Sequence, residues 1–191
     1  MKYGFNYLKF LSKDIASFIK QELPGFDFFI YGTKPKTAQL PDPCLAASKW
    51  RLSEDGRSLG VTITTEMKTV VFQGWLENDI IAFHIPSDGR ISPDILKALK
   101  ADKMLCIKEN FDLVRGEANP LTLQMKVPEG KNLIHIFDEK YTSRTYATTN
   151  AGLDMSISFN PSQLIKAMQH KYPENVRIMQ LCKSNIIQTG V

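Results

Sequence analysis

Three cysteines in 191 residues are too few and too scattered to frame a disulfide scaffold. Cys44, Cys106 and Cys182 form no CxxC pair, and a reducing compartment, hence a cytoplasmic location, is the expectation. No apolar run approaches 18 residues, so no membrane span and no membrane partner are expected. The segment Met1–Lys9 carries Tyr3, Phe5 and Tyr7 but no apolar h-region, so no signal peptide is read. GxxxxGKS/T and GxGxxG loops are missing, which leaves nucleotide binding without support. The histidines, His84, His135 and His170, follow no short zinc spacing. Charge of one sign is also scarce: 24 basic against 20 acidic residues leaves +4, which permits contact with an anionic polymer without demanding it.

What is present is a normal globular balance, 43% apolar and 23% charged, on a chain long enough to bury a real core in one or two domains. Leu8, Leu11, Ile15, Phe18 and Ile19 fall at helical spacing, and Pro24-Gly25 stops that helix. Phe26–Tyr31 reads as an aromatic strand whose two faces are both aromatic, which suits core packing better than base stacking. Gly32–Pro43 reads as a loop, and Ala46–Leu52 with Ser58–Thr65 as a hairpin turning at Glu54-Asp55-Gly56-Arg57. Lys68–Gly74 reads as a further strand, with Val70 and Phe72 on one face.

From there the pattern looks duplicated. Ile80–Gly116 and Asp154–Gly190 each offer an alternating strand, a capped helix, a strand, a turn and a second strand. In the first copy Ile81, Phe83 and Ile85 alternate, Ser92 caps, Pro93 takes the first helical position and Ile95, Leu96 and Leu99 make the buried side. Met104–Lys108 and Phe111–Arg115 are expected as strands flanking Glu109-Asn110. In the second copy Asn160 caps, Pro161 follows, and Leu164, Ile165 and Met168 face inward. Between the copies Leu121–Val127 alternates as a strand, and Leu133, His135 and Phe137 share one strand face opposite Ile134 and Ile136. Cys106 and Cys182 are expected as small core residues, and His84 and His135 as strand histidines, partly buried and hydrogen-bonded. The fold class expected is α+β: an antiparallel sheet with two or three helices on one side, its pattern suggesting repeated strand–helix–strand modules. Residues 1–79 would form a first α+β module with the hairpin strands, and 80–191 the two similar modules.

WRLSEDGRSLGVTIT, IIAFHIP, SPDILKALKAD and KMLCIKENFDLVRG together resemble half of a domain of a bacterial-type DNA polymerase sliding clamp, and DMSISFNPSQLIKAMQHKYPENVRIMQL resembles the start of another half. The resemblance covers about half the chain and departs from the family in length, since such a clamp subunit is about twice as long. It implies a non-enzymatic scaffold or tether that oligomerises around duplex DNA. Lys9, Lys13, Lys97, Lys100 and Lys166 would then hold phosphates in a salt-sensitive, sequence-blind way.

An enzymatic alternative starts from Glu66-Met67-Lys68, which places an acid and a lysine on one strand face. With Asp55 as a second acid this would be a Mg²⁺-dependent nuclease site, the carboxylates holding the metal and Lys68 assisting the attacking water. Asp138-Glu139-Lys140 lies in a turn and fits that chemistry worse. A third expectation is a protein-interaction factor with no nucleic-acid role, with Trp75 beside a turn as its candidate anchor. No metal or other cofactor is expected outside the nuclease alternative.

Overall fold

A computed structural model describes residues 10–26, 28–32, 66–114, 116–150 and 155–182. The expected hairpin at 46–65, Asp55, Lys9, Cys44 and the final strand expected at 185–189 lie outside the described residues.

The chain is α+β. The helix α1 (Phe10–Glu22) leads into strand β1 (Phe28–Gly32) through Gly25, whose φ of 84° makes the turn that ends the helix. Strands β2 (Met67–Gln73) and β3 (Asp79–Pro86) form a hairpin in which Gly74 is required, because a Cβ there would lie 2.5 Å from Cβ of Asp79. The helices α2 (Pro93–Ala98), α3 (Ile107–Phe111) and α4 (Pro120–Met125) follow. Then come β4 (Asn132–Asp138), a 3-10 turn (Glu139–Thr142), β5 (Ala147–Asn150), β6 (Met155–Phe159), α5 (Pro161–Lys171) and β7 (Val176–Met179).

Two sheets result. One has three strands in the order β1-β6-β5, all antiparallel; the other has four in the order β2-β3-β4-β7. In the larger sheet only β2-β3 is antiparallel, while β3-β4 and β4-β7 run parallel, so it is mixed. That follows from burial: every residue of β3, and all of β4 after Asn132, is buried, the continuous pattern of strands covered on both faces.

Alternation divides the larger sheet as expected. Phe72, Ile81, Phe83, Ile85, Ile134 and Ile136 build the core on one face, against which Ile95 and Leu96 of α2 and Leu99 just after it pack. Val71, Ile80, Ala82 and Leu133 face the other way, beside Leu123 of α4. At the end of that face Phe137 and Val176 join Ile15 and Ile19 of α1 and Leu164, Ile165 and Met168 of α5. Helices therefore cover both faces. β2 and β3 pair across residues 79 and 80, and β1 pairs with β6, so contacts link the two segments divided there by the sequence pattern.

Three sequence expectations are corrected. Leu121–Val127 is not a strand but contains α4: the Asn119 side chain accepts from the backbone N–H groups of Leu121 and Thr122, Thr122 bonds back to Asn119 N, and Pro120 sits at the first helical position. Because Leu121, Thr122 and Leu123 are all buried, the period-two pattern carried no information about exposure. The expected strands at 104–108 and 111–115 are replaced by a single bridge from Met104 to Phe72 and by α3, which Asp112 closes at φ 51°. Cys106, expected in a core, is exposed just before α3. The apparent repeat thus separates after its first helix: in the second copy β7 pairs with β4, whereas the described residues of the first copy include no matching strand.

Candidate functional site

The parallel strands of the larger sheet end together. Pro86, Asp138 and Met179 close β3, β4 and β7, and the start of the antiparallel β2 reaches the same edge. Carboxyl ends of parallel strands are where open α/β sheets present ligand crevices, because the following chain turns away there. The smaller sheet meets this edge: Glu66 bridges Thr148, and Thr149 Oγ1 donates to Met67 O at 2.9 Å.

Lys68 is one cation of this edge, with Lys140 also near Cys182. Lys68 is half-buried, and its Nζ donates to Ser87 O at 2.9 Å, while Ser87 N donates to Glu66 O at 3.0 Å. Among the described residues Lys68 makes no ion pair, so an ammonium stands at the strand ends with donor capacity to spare. Asp138 is fully buried and wholly engaged. One of its oxygens accepts from the N–H groups of Leu181 and Cys182, the other from Lys140 N. It thereby pins the chain leaving β7 against the end of β4.

Cys182 is buried beside Gly89, where a Cβ would sit 2.6 Å from Sγ, so only glycine allows the approach. Burial, and then the Asp138 carboxylate, push the Cys182 thiol up to about 11, with the ammonium groups of Lys140 and Lys68 opposing. It is a protonated packing group at neutral pH, not a nucleophile. Burial likewise raises the Tyr141 phenol, opposed by Arg144 and reinforced by Asp138, Cys182 and Asp88. Its ring lies under the Arg144 guanidinium, 5.3 Å from the ring centre.

A second polar cluster lies inside the sheet. His84 and His135, on adjacent strands, are fully buried, with His84 Nε2 2.8 Å from His135 Nδ1. Thr69 Oγ1 lies 2.9 Å from His84 Nδ1, and Gln124 Oε1 lies 3.0 Å from His135 Nε2. Burial, and then the neighbouring imidazole, hold His84 well below the usual histidine value; burial lowers His135 to about 3. Both rings are neutral at physiological pH.

Sequence reasoning singled out Lys68, and the structure puts it at the strand ends. Glu66 is buried, and Asp55 lies outside the described residues. Among the described residues no three His, Cys, Asp or Glu side chains are grouped to hold a metal ion. Lys97 and Lys100 are exposed on and just after α2, whereas Lys166 is exposed on α5, across the larger sheet. They do not converge on one surface. Lys13 lies in α1, its side chain not among those described. His170 is exposed, and Trp75 is half-buried with the Arg177 guanidinium 5.2 Å from its ring centre. Asp138 and the pairing of the two histidines were not foreseen. The signal for the pair was their shared phase, since both sit where their strands turn one face toward α4.

No family model matches this chain, and no curated protein matches it. Among described helices none is long and apolar enough to cross a membrane. Solved structures do share the fold. A scaffold protein used for computational grafting of linear epitopes aligns over 92% of this chain and 99% of its own, with TM-score 0.65 and 11% identity. A protein provisionally assigned as a trans-editing enzyme for prolyl tRNA synthetase aligns over 92% and 99%, with TM-score 0.64 and 12% identity. Hypothetical protein APE2540 aligns over 86% and 96%, with TM-score 0.59 and 18% identity. At these identities the likeness is one of fold: this chain has, over nearly its whole length, the architecture of those three proteins.

Proposed function

We propose that this protein is a cytoplasmic ester hydrolase of the editing kind, which removes an amino acid from the 3′ end of a mischarged tRNA. The observation that carries the reading is Lys68: a half-buried ammonium at the carboxyl ends of parallel strands, tethered by one carbonyl and free of a carboxylate partner among the described residues. Support for the substrate class comes from the nearly full-length likeness to the trans-editing protein. In the reaction a water oxygen bonds to the ester carbonyl carbon, and negative charge develops on the carbonyl oxygen. The bond to the ribose oxygen then breaks, and that oxygen takes a proton, leaving a free amino acid and an uncharged tRNA. A fixed ammonium aimed at the developing oxyanion stabilises the step, and removal of one such donor typically costs about 100- to 1000-fold in rate.

The test is deacylation of a panel of mischarged tRNAs by the wild-type protein, Lys68→Ala and Lys68→Arg. The expected result is hydrolysis of at least one substrate, lost about 100-fold or more in Lys68→Ala. Wild-type protein that hydrolyses none of them would overturn the reading.

A second reading keeps the non-enzymatic scaffold on duplex DNA, with the exposed Lys97, Lys100 and Lys166 as its phosphate contacts, although they lie on different sides of the larger sheet. It predicts salt-sensitive DNA binding that Lys68→Ala leaves intact and the triple alanine variant of those lysines abolishes. The nuclease alternative shares Lys68 but requires Mg²⁺-dependent DNA cleavage lost in Glu66→Gln. A protein-interaction role would rest instead on exposed apolar groups such as Leu76 and Met104.

A further inference from the structure

We propose that the Thr69–His84–His135–Gln124 chain is an acid-operated latch that holds α4 to the larger sheet. It joins three neighbouring strands to one short helix through consecutive contacts of 2.9, 2.8 and 3.0 Å. With both rings neutral, three hydrogens serve three links: the Thr69 hydroxyl and one N–H on each imidazole. Because the Gln124 Oε1 oxygen can only accept, His135 Nε2 donates to it, His84 Nε2 donates to His135 Nδ1, and the Thr69 hydroxyl donates to His84 Nδ1. The two ends are half-buried while the two rings between them have no exposure at all, so the latch reaches solvent only through its ends.

An extra proton inside the closed latch would be an unpaired buried charge. The charged groups on the surrounding elements are engaged elsewhere. Lys68 of β2 donates to Ser87 O. Asp79 of β3 accepts from Asn132 Nδ2, and Asp138 at the end of β4 accepts from backbone N–H groups. Lys126 after α4 is exposed, and Arg177 of β7 lies over Trp75. From α1 and α5 the groups that meet this core are apolar: Ile15, Ile19, Leu164, Ile165 and Met168. Phe137 lies tilted against His84 with ring centres 4.4 Å apart.

The element that yields is α4. It has six residues, too few to persist as a helix without its packing, whereas β3 and β4 are each bonded on both sides. Release of α4 removes Gln124 from His135 Nε2 and admits water to that nitrogen, which can then bind a proton. Opening is therefore linked to uptake of one proton at His135, and global unfolding to uptake of two.

Hydrogen exchange of the full-length protein between pH 6 and 4.5, corrected for intrinsic rates, tests this. The amides of Leu123 and Lys126 report α4, and those of β3 and β4 report the sheet. The expected opening constant of α4 rises about tenfold per pH unit, and that of the strands about a hundredfold. Gln124→Glu, at a half-exposed position, supplies a carboxylate that keeps His135 protonated in the closed state, so the α4 slope should fall toward zero. Gln124→Leu should keep the slope while raising opening at every pH. A pH-independent opening of α4, exchange of α4 only together with the strands, or an unchanged slope in Gln124→Glu would each overturn the latch.

Discussion

On one face of the larger sheet, Phe72, Ile81, Phe83, Ile85, Ile134 and Ile136 pack against α2 as a continuous hydrocarbon surface. On the other, Thr69, His84 and His135 interrupt Val71, Ile80, Ala82 and Leu133 with a hydrogen-bonded chain. Both faces are covered along the central strands β3 and β4, yet different physics holds their layers together. The first gains from apolar area alone, which depends little on pH. The second stays closed only while its histidines are neutral, so its stability carries a proton dependence that the first lacks.

The largest break in this comparison is Phe83→Ala. Phe83 has no exposure and meets Phe72 edge-on with ring centres 5.6 Å apart, so its loss should destabilise the fold by about 3–5 kcal/mol, equally at pH 7 and pH 5. Denaturant titrations at the two pH values check both the size and the pH independence.

The opposite face sharpens the contrast through pH. An unfolded histidine titrates near 6.5, whereas the folded pair lies well below that value, His135 at about 3. Between those limits the unfolded chain binds protons that the folded chain does not, so stability falls as pH falls below 6.5 and is insensitive to the pair above it. The expected loss is about 2.7 kcal/mol per pH unit for two such groups well inside that window. Removing the pair by a joint His84→Phe and His135→Leu change should remove that slope, whatever its effect at pH 7. A wild-type stability flat from pH 6.5 to 4.5 would show that the two faces do not differ in this respect.

A smaller effect tests the anchoring of α4. The Asn119 side chain caps α4 and also donates to Asn150 O at 3.3 Å, tying the loop to the end of β5. Asn119→Ala should cost about 1–2 kcal/mol, measured by thermal unfolding. Smallest of all, Lys97→Ala and Lys166→Ala should leave stability within about 0.5 kcal/mol, because both side chains are exposed. A larger loss from either would mean that it belongs to a packed layer after all.

Much of the local structure was legible where one physical signal acted alone. Asn160 with Pro161 marked the start of α5, and its Oδ1 accepts from the N–H groups of Ser162 and Gln163. Ser92-Pro93-Asp94 marked α2, and alternation gave both faces of β3 and β4. Where two signals competed, the reading failed. Leu121, Leu123, Met125 and Val127 satisfy a period of two, but Asn119 and Pro120 close a helix that buries several successive residues. At Glu109-Asn110 a hairpin turn between two strands was expected, but Ile107–Phe111 coils as α3 instead.

The candidate site was legible only in Lys68. Its place in the chain fixed which strand carries it, but the carbonyl that holds it lies 19 residues away. Asp138 read as a turn residue because its partners, Leu181 and Cys182, are more than forty positions downstream.

By itself, then, the sequence determined the class of the fold, the Asn160 cap of α5 and the two faces of each central strand, because burial periodicity and capping act between residues a few positions apart. Tertiary structure alone decided which strands run parallel, that His84 meets His135 and that Lys68 stands at a shared strand edge. Those depend on the order and register of strands brought together from distant parts of the chain, and no local pattern encodes them.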